Sequence, residues 1–273
     1  MRKIIPCLLL MAFVLPFTTG CQTAPFTGRR QLILISRSEE LQLGEQSYAE
    51  ILKKSKISNN AAADAVLQRV GKRIAEMAHE PDFEWEFKLI ESDQVNAFCL
   101  PGGKVAVYTA ILPVCKDEAG LAAVVAHEVA HAMARHGAER VSQNLAVEVV
   151  ATGLQMGIGK MDPRAQGIVM AAYGAGSTVG VLLPYSRTQE SESDEIGIRL
   201  MARAGYNPEA AVLLWQRMAQ LGGGGLEFLS THPASERRIE DLKALLPKMD
   251  QFYRQAPQQY GFGEALPVSA KAP

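Results

Sequence analysis

The residues His127-Glu128-Val129-Ala130-His131 form an HExxH pentapeptide inside an apolar run from Gly120 to Ala134. The run is typical of a core helix, and residues four apart on a helix lie only about 40° apart around its axis. Both imidazoles can therefore bind one Zn²⁺, while Glu128 beside them is placed to take a proton from a water. A chance match on a surface helix is the alternative, but the apolar neighbours argue against it because a buried His or Glu needs a partner.

An HExxH motif supplies two ligands, so a third must lie elsewhere in the chain. The extended form, HExxHxxGxxH, is excluded because Ala134 and Gly137 stand where it requires Gly and His. His136 lies nearly opposite His127 on the helical wheel. We therefore expect His136 not to share the metal and instead to face the C-terminal dipole of the same helix.

The segment YSRTQESESDEIG, residues 185–197, offers the third ligand on a later helix. Glu190 and Asp194 are four residues apart and project from one helical face. Glu190 would bind the metal, and Asp194 would accept the N–H of a ligating histidine and fix the orientation of its ring. Glu192 is the second choice for the ligand, and a solvated acidic face is the alternative for the whole segment.

Four sequence blocks together resemble the motifs of peptidase family M48. They are NAFCLPGGKV (96–105), HEVAHAMARHG (127–137), YSRTQESESDEIG (185–197) and STHPASERRI (230–239). The N-terminal TAPFTGRRQL, residues 23–32, is similar to the small lipoprotein members of that family. Ser193 departs from the family's usual Ala, which exchanges one small residue for another.

The resemblance implies a mainly helical α+β fold of the gluzincin type, with a small β-sheet beside the HExxH helix. It implies a zinc-dependent endopeptidase with one Zn²⁺ per chain and the following ligands: His127, His131 and Glu190. Glu128 would be the general base, and Asp194 would support a ligand. His232 corresponds to a histidine that lies near the metal and can occupy its open position. Without the resemblance, His232 would be interpreted as a loop histidine that caps the next helix.

A positive or protic group should stabilise the oxyanion of the reaction, and the candidates are His232, Tyr185 and Arg238. The resemblance also suggests that the strands around Asn96 to Tyr108 offer an edge to an extended peptide by strand addition. The residues expected to contact that peptide are Asn96, Val105 and Val107. Substrates would be unfolded or misassembled envelope proteins, with envelope assembly machinery as a further partner. A non-catalytic chaperone or adaptor and a latent protease closed by His232 are the alternatives.

The first twenty residues are predicted to be a lipoprotein signal peptide. Two cations precede an uncharged stretch, Ile4 to Gly20, that is too short and too interrupted by proline for a comfortable membrane span. The stretch ends at Cys21, which we expect to be lipidated, although Thr18 stands where an aliphatic residue is usual. Because Gln22 rather than Asp follows, we expect an outer-membrane lipoprotein facing the periplasm. An ordinary secretory signal is the alternative.

The remaining residues are enough for one sizeable core. We expect a tether over 21–35, a single metallopeptidase domain over 36–256 and a flexible tail over 257–273. The formal net charge is −1, and without a basic stripe the sequence predicts no nucleic-acid partner. Cys99 and Cys115 flank a Pro-Gly-Gly turn and would be either a disulfide or two separate buried thiols.

Capping residues, prolines and glycines along the chain predict the remaining helices and strands. Helices should begin after Ser36, Asn60, Pro208 and Ser235, with the last one running to about Leu246. A strand is expected over 83–91, and a strand pair on either side of the Pro-Gly-Gly turn. The uncharged stretch 165–186 is expected to be a buried or mobile helix and loop beside the site, with membrane contact as the alternative.

Overall fold

The structure, a computed structural model, describes residues 21–152, 186–221 and 227–267, with side chains left undescribed at Cys21 and from residue 146 to 152. The predicted signal peptide, Tyr185 and residues 165–185 of the uncharged stretch lie outside these residues. Within the described part, the chain is mainly helical with two small sheets, which confirms the predicted α+β class. None of the helices there combines the length and the apolar character that crossing a membrane requires.

The elements follow one another along the chain with strands concentrated in the first half. The strands are β1 (Cys21–Thr23), β2 (Arg30–Leu32), β3 (Glu86–Ile90), β4 (Ala97–Leu100) and β5 (Lys104–Tyr108). The helices are α1 (Arg37–Lys54), α2 (Ala61–Ala78), α3 (Leu112–Cys115), α4 (Glu118–Met133), α5 (His136–Thr152), α6 (Arg187–Arg203), α7 (Glu209–Gln220), α8 (Glu227–Thr231) and α9 (Glu236–Gln255).

Polar side chains at the helix starts fix where the main helices begin. Ser36 forms a capping box with Glu39 at the start of α1, and Ser186 forms one with Gln189 at the start of α6. Asn60 and Ser235 accept backbone N–H groups at the starts of α2 and α9. These caps satisfy donors that a helix cannot satisfy within itself, so the predicted starts at Ser36, Asn60 and Ser235 agree with the structure.

Helix α9 continues to Gln255, so the predicted end near Leu246 is wrong. The prediction stopped there because Pro247 removes one helical hydrogen bond and usually breaks a helix. The helix nevertheless continues because its next turn buries Met249 completely and packs Phe252 and Tyr253 against the core. Burial of these side chains offsets the lost hydrogen bond.

The larger sheet has three strands in the order β3-β5-β4. Strand β5 pairs parallel with β3 and antiparallel with β4, so it is the central strand and β4 is an edge. Helix α4 packs against β4, α2, α6 and α7, and all of its residues are buried. The HExxH helix is therefore the centre of the core, as its apolar flanks indicate.

Residues 21–35 do not form the predicted tether. Strand β1 pairs antiparallel with β2, and Ala24, Ile33 and Ile35 are buried. Because these apolar side chains are buried in the core, the segment belongs to the folded domain.

The predicted flexible tail is wrong for its first eleven residues, 257–267. Leu266 is buried, and the carbonyls of Phe262 and Glu264 accept the backbone N–H groups of Ala119 and Glu118. This irregular segment thus caps the first turn of α4 with main-chain acceptors. Its loop-like composition concealed a structural role because backbone capping needs no particular side chain.

Cys99 and Cys115 are both buried and neither forms a disulfide. Of the two alternatives open from the sequence, the structure has the two separate thiols. Burial raises the pKa of the Cys115 thiol to about 12, so this thiol stays protonated and unreactive.

Candidate metal centre

Helix α4 presents two imidazoles to one point. His127 Nε2 and His131 Nε2 lie 3.1 Å apart, and both side chains are almost completely buried. The i, i+4 spacing produces this proximity because the helix places both residues on one face. Two imidazole nitrogens held this close on one helix face can bind the same metal ion.

Helix α6 brings Glu190 to the same point. Its carboxylate oxygens lie 3.5 Å from His127 Nε2 and 3.4 Å from His131 Nε2. The backbones approach closely because α6 carries Gly197, where an added Cβ would lie 3.0 Å from the backbone nitrogen of His127. A glycine at this crossing therefore lets the carboxylate reach the histidines.

His232, the residue that follows α8, completes the cluster. His232 Nδ1 lies 3.0 Å from Glu190 Oε1 and 3.4 Å from His127 Nε2. The donor atoms of four residues lie within 4.8 Å of one another: His127, His131, Glu190 and His232. A tetrahedral zinc with bonds of about 2.0–2.1 Å has donors roughly 3.3–3.4 Å apart, so this buried set of three nitrogens and one carboxylate fits Zn²⁺.

Glu128 lies beside this cluster without joining it. Its side chain is buried, and Oε1 makes no hydrogen bond to any of the described residues, although it lies 3.5 Å from His232 Nε2. Burial raises the pKa of the Glu128 carboxyl above its usual value, and the imidazoles of His232 and His127 offset only part of that rise. A buried carboxyl with a raised pKa and a free oxygen is suited to accept and return a proton.

Asp194 and Arg238 support the cluster from behind. Asp194 Oδ1 lies 3.1 Å from His127 Nδ1, the position expected from the sequence. Arg238 donates from Nε and Nη2 to the two oxygens of Asp194, both at 2.7 Å, and its Nη1 lies 2.7 Å from Glu190 Oε2 as an ion pair. The guanidinium also stacks on Trp215, with 3.7 Å from its central carbon to the ring centroid.

These contacts overturn the interpretation of Arg238 as an oxyanion donor. Its side chain is only 6% exposed, and its guanidinium nitrogens face Asp194, Glu190 and the carbonyl of Pro233. Turning it toward a substrate would leave two buried carboxylates without their counter-charge. Its position instead suits the orientation of Glu190 and, through Asp194, of His127.

Charged and polar neighbours keep the carboxylates of Asp194 and Glu190 ionised. Burial raises the pKa of the Asp194 carboxyl, but Arg238 and then the His127 imidazole outweigh burial and hold that pKa below its usual value. Burial also raises the pKa of Glu190, yet the neighbouring imidazoles, His232 first, hold it well below the usual range. Ionised carboxylates are the form that binds a metal and accepts an imidazole N–H.

His136 is not a C-terminal residue of α4, so that prediction is wrong. Helix α4 ends at Met133, and Arg135, at a left-handed φ of 58°, turns the chain so that His136 begins α5. His136 Nδ1 then lies 2.9 Å from His131 Nδ1, and its Nε2 lies 2.9 Å from Glu192 Oε2. The helical wheel failed because it assumed one helix through residue 136.

Glu192 therefore stands behind His136 and outside the donor cluster. Its oxygens also meet Thr27 and Arg29 from the N-terminal segment. The structure thus places Glu190, and not the second choice Glu192, beside the two histidines of α4.

The positions of Val105 and Val107 in the sheet do not support the expected contacts of these residues with substrate. Both lie on the central strand β5, paired on both sides, and their side chains are fully buried. Asn96 precedes the edge strand β4, where its Oδ1 accepts the N–H of Ala97. Of the two strands around the Pro-Gly-Gly turn, β4 is an edge of the sheet and β5 is not, so a peptide that adds a strand to this pair must do so along β4.

Comparisons with known proteins agree with this geometry. Residues 61–246 match the pattern that defines Peptidase family M48. The "Mitochondrial metalloendopeptidase OMA1" of Schizosaccharomyces pombe is 37% identical over 238 residues, which cover 85% of this chain and 68% of that protein. The protein of the same name from Saccharomyces cerevisiae is 33% identical over 267 residues, covering 88% of this chain and 73% of the relative.

A bacterial protein is similar at lower identity. The "Beta-barrel assembly-enhancing protease" of Escherichia coli (strain K12) is 25% identical over 255 residues, which cover 91% of this chain and 52% of that protein. Together, the motif blocks, the buried donor cluster and these relatives confirm the resemblance seen in the sequence. The chain belongs to peptidase family M48 and is a metalloendopeptidase that uses zinc.

Proposed function

We propose that this protein is a zinc endopeptidase of the bacterial envelope that rests in a closed state and cleaves unfolded or misassembled proteins. One observation carries the closed state: His232 Nδ1 occupies the fourth corner of the donor cluster, 3.0 Å from Glu190 Oε1. A catalytic zinc site keeps one position open, whereas a site with four protein donors is closed.

His127, His131 and Glu190 would hold the metal in the active form. When bound, zinc supplies Lewis acidity that polarises the attacking water and the scissile carbonyl. Glu128 takes a proton from that water and delivers it to the leaving amine, a role that its raised pKa favours. Asp194 and Arg238 hold the imidazole of His127 and the carboxylate of Glu190 in place, so little reorganisation is needed during the reaction.

His232 would act as a removable latch. It lies in the short link between α8 and α9, and its backbone N–H donates to the carbonyl of Phe228. Its Nε2 also lies 3.5 Å from Glu128 Oε1, so the same ring stands between the metal position and the base. Displacing this ring would open both positions together.

Strand β4 would bind the substrate backbone. It is paired with β5 on one side only among the described strands, and it packs against the metal helix α4. A peptide that adds to this edge is recognised through main-chain hydrogen bonds, which requires an extended segment and little side-chain specificity. Unfolded proteins expose such segments, and this favours them as substrates.

The proposed location rests on the N-terminal sequence. The uncharged stretch that ends at Cys21 predicts a lipidated cysteine, and the bacterial relative is named for assembly of β-barrels. The fungal relatives are named as mitochondrial, so similarity alone does not determine the compartment. We assign this chain to the outer membrane, facing the periplasm, with envelope assembly machinery as a partner and no nucleic acid.

A cleavage assay tests the function. Purified full-length protein should cleave a denatured protein with added zinc, should lose that activity in a chelator, and should leave the same substrate intact when it is folded. Equal cleavage of folded and unfolded substrate would reject the preference for unfolded proteins. Persistent cleavage in the chelator would point to a contaminating protease.

A further inference from the structure

A second histidine lies directly behind the ligand His131. His136 is completely buried, and its Nδ1 lies 2.9 Å from His131 Nδ1 on the side of the ring away from the donor cluster. On its other side, His136 Nε2 lies 2.9 Å from Glu192 Oε2. The three side chains form a continuous line that leads from the metal position into the protein.

The proton positions along this line follow from the chemistry of its end points. His131 Nε2 faces the metal position, so its Nδ1 carries the hydrogen and donates to His136 Nδ1. His136 must then carry its own hydrogen on Nε2, which donates to the carboxylate of Glu192. The hydroxyl of Ser193, 3.3 Å from His136 Nδ1, is compatible with this arrangement because it can rotate its proton elsewhere.

The N-terminal segment anchors the far end of the line. Arg29 Nε donates to Glu192 Oε2 at 2.8 Å, and the hydroxyl of Thr27 donates to the other oxygen of Glu192. Arg29 also donates from both terminal nitrogens to Glu139, each at 2.7 Å, and Gln189 donates to Glu139 at 2.8 Å. A nearly buried carboxylate needs such partners, so the position of Glu192 depends on Arg29.

The turn between α4 and α5 is fixed independently. Arg135 has the left-handed φ of 58° that brings His136 back toward His131, and its Nε donates to the buried Glu40 Oε2 at 2.7 Å. A left-handed conformation is costly for a residue other than glycine, so the ion pair with Glu40 stabilises it. The backbone therefore presents His136 to His131 through contacts that do not involve the metal ligands.

We propose that Arg29, Glu192 and His136 form a positioning relay that holds His131 in the ring orientation and tautomer required for zinc. The segment that follows Cys21 is thereby part of the metal centre. The inference rests on the proposed role of His131 as a ligand, and it concerns zinc affinity and ligand geometry in addition to activity.

Zinc affinity of the full-length protein, measured by competition with a chelating dye, tests the relay. His136→Leu removes the acceptor for His131 and should weaken zinc binding roughly 10- to 100-fold, the usual contribution of such a partner. Glu192→Gln and Arg29→Gln act one and two steps further away, respectively, and should weaken binding by up to about tenfold. Two control variants should leave the zinc affinity unchanged. Arg30→Gln changes the exposed neighbour of Arg29, and Glu195→Gln changes a residue of α6 outside the relay.

A double-mutant cycle separates a relay from independent structural effects. His136→Asn keeps an acceptor near the Nδ1 position but loses the contact with Glu192, so its loss of affinity should be smaller than that of His136→Leu. In the His136→Asn background, Arg29→Gln should have no further effect on zinc affinity, because the line is already interrupted. The visible spectrum of the cobalt-substituted protein should shift in Arg29→Gln, which reports the changed geometry at the ligands directly.

Several outcomes would overturn the relay. Unchanged zinc affinity and cobalt spectra in His136→Asn, Glu192→Gln and Arg29→Gln would show that His131 is held without them. Additive effects of Arg29→Gln and His136→Asn would show separate structural roles. The variant His131→Ala tests the ligand assignment separately from the relay. It must lose zinc if His131 is a ligand, and retained zinc would reject that assignment.

Discussion

Arg238 and Asp194 meet through two parallel hydrogen bonds of 2.7 Å, and this buried pair lies directly behind His127 and Glu190. One guanidinium thus orients a histidine through Asp194 and a carboxylate directly. The planar fork of arginine is suited to this double task, whereas lysine offers a point charge.

Arg238→Lys should therefore lower zinc affinity by roughly 10- to 100-fold although the charge is kept. Arg238→Met should in addition destabilise the fold by about 3–5 kcal/mol, because it leaves buried carboxylates without a partner. Dye competition and thermal unfolding measure the two effects. The matched control is Arg237→Lys, at an exposed neighbour on the same helix. Wild-type zinc affinity in Arg238→Lys would show that the fork is dispensable.

Glu128→Gln should retain zinc and lose nearly all peptidase activity. The carboxyl lies outside the donor cluster, so the amide leaves the ligands intact while removing the base. A general base contributes about 10²–10⁴-fold to rate, so kcat should fall by at least about 100-fold. Zinc content and cleavage of an unfolded substrate are measured on the same preparation. A rate near that of wild type, with contaminating proteases excluded, would reject the role of Glu128.

Glu190→Ala should lower the amount of zinc bound per chain, whereas Glu192→Ala should keep full occupancy when zinc is in excess. Glu190 oxygens lie 3.4 and 3.5 Å from the two histidine nitrogens of α4, while Glu192 contacts His136 instead. Elemental analysis after dialysis against excess zinc compares the two variants directly. The opposite pattern would transfer the ligand role to Glu192.

His232→Ala should raise basal cleavage of an unfolded substrate and promote self-cleavage. Removing the imidazole opens the fourth corner of the cluster, and a rise of about tenfold would mean that the wild-type site is open about a tenth of the time. A fall in kcat on the order of 100-fold with zinc retained would instead assign His232 to the oxyanion. His79→Asn, at an outlying histidine with φ of 51°, is the control because Asn tolerates that conformation.

Cys21→Ser should prevent lipid attachment, and it should release the protein from the membrane fraction or block its processing. The sequence ending at Cys21 is the basis for the proposed anchor. Membrane fractionation and mass spectrometry of the N-terminal peptide measure the outcome. A fully processed, membrane-bound Cys21→Ser product would place the anchor elsewhere, and residues 165–186 would be the next segment to test.

Local patterns made part of this molecule predictable. The HExxH spacing and its apolar flanks predict a buried helix that carries two metal-facing imidazoles, and α4 has this form. Capping residues such as Ser36 predict helix starts because they act on backbone donors within the next turn. The spacing of Glu190 and Asp194 predicts a shared face, and both side chains point toward α4.

Contacts between distant segments were not predictable in the same way. Nothing in the sequence near Arg238 shows that its fork binds Asp194, and the indole of Trp215 beneath it has the same local pattern as any core aromatic. The order of strands in the sheet, which buries Val105 and Val107 on β5, likewise depends on pairing across the chain. The position of His136 could have been predicted better. The sequence Arg135-His136-Gly137 could have indicated a turn that ends the HExxH helix before His136.

The main-chain caps that Phe262 and Glu264 place on the first turn of α4 have a consequence for biosynthesis. The donors that they satisfy, on Glu118 and Ala119, are made long before their acceptors emerge from the ribosome. Contacts between such distant segments form late in folding because a long loop must close first. The first turn of the helix that carries HExxH therefore gains these two acceptors only when residues 262 to 264 have folded back, late in the folding of the chain.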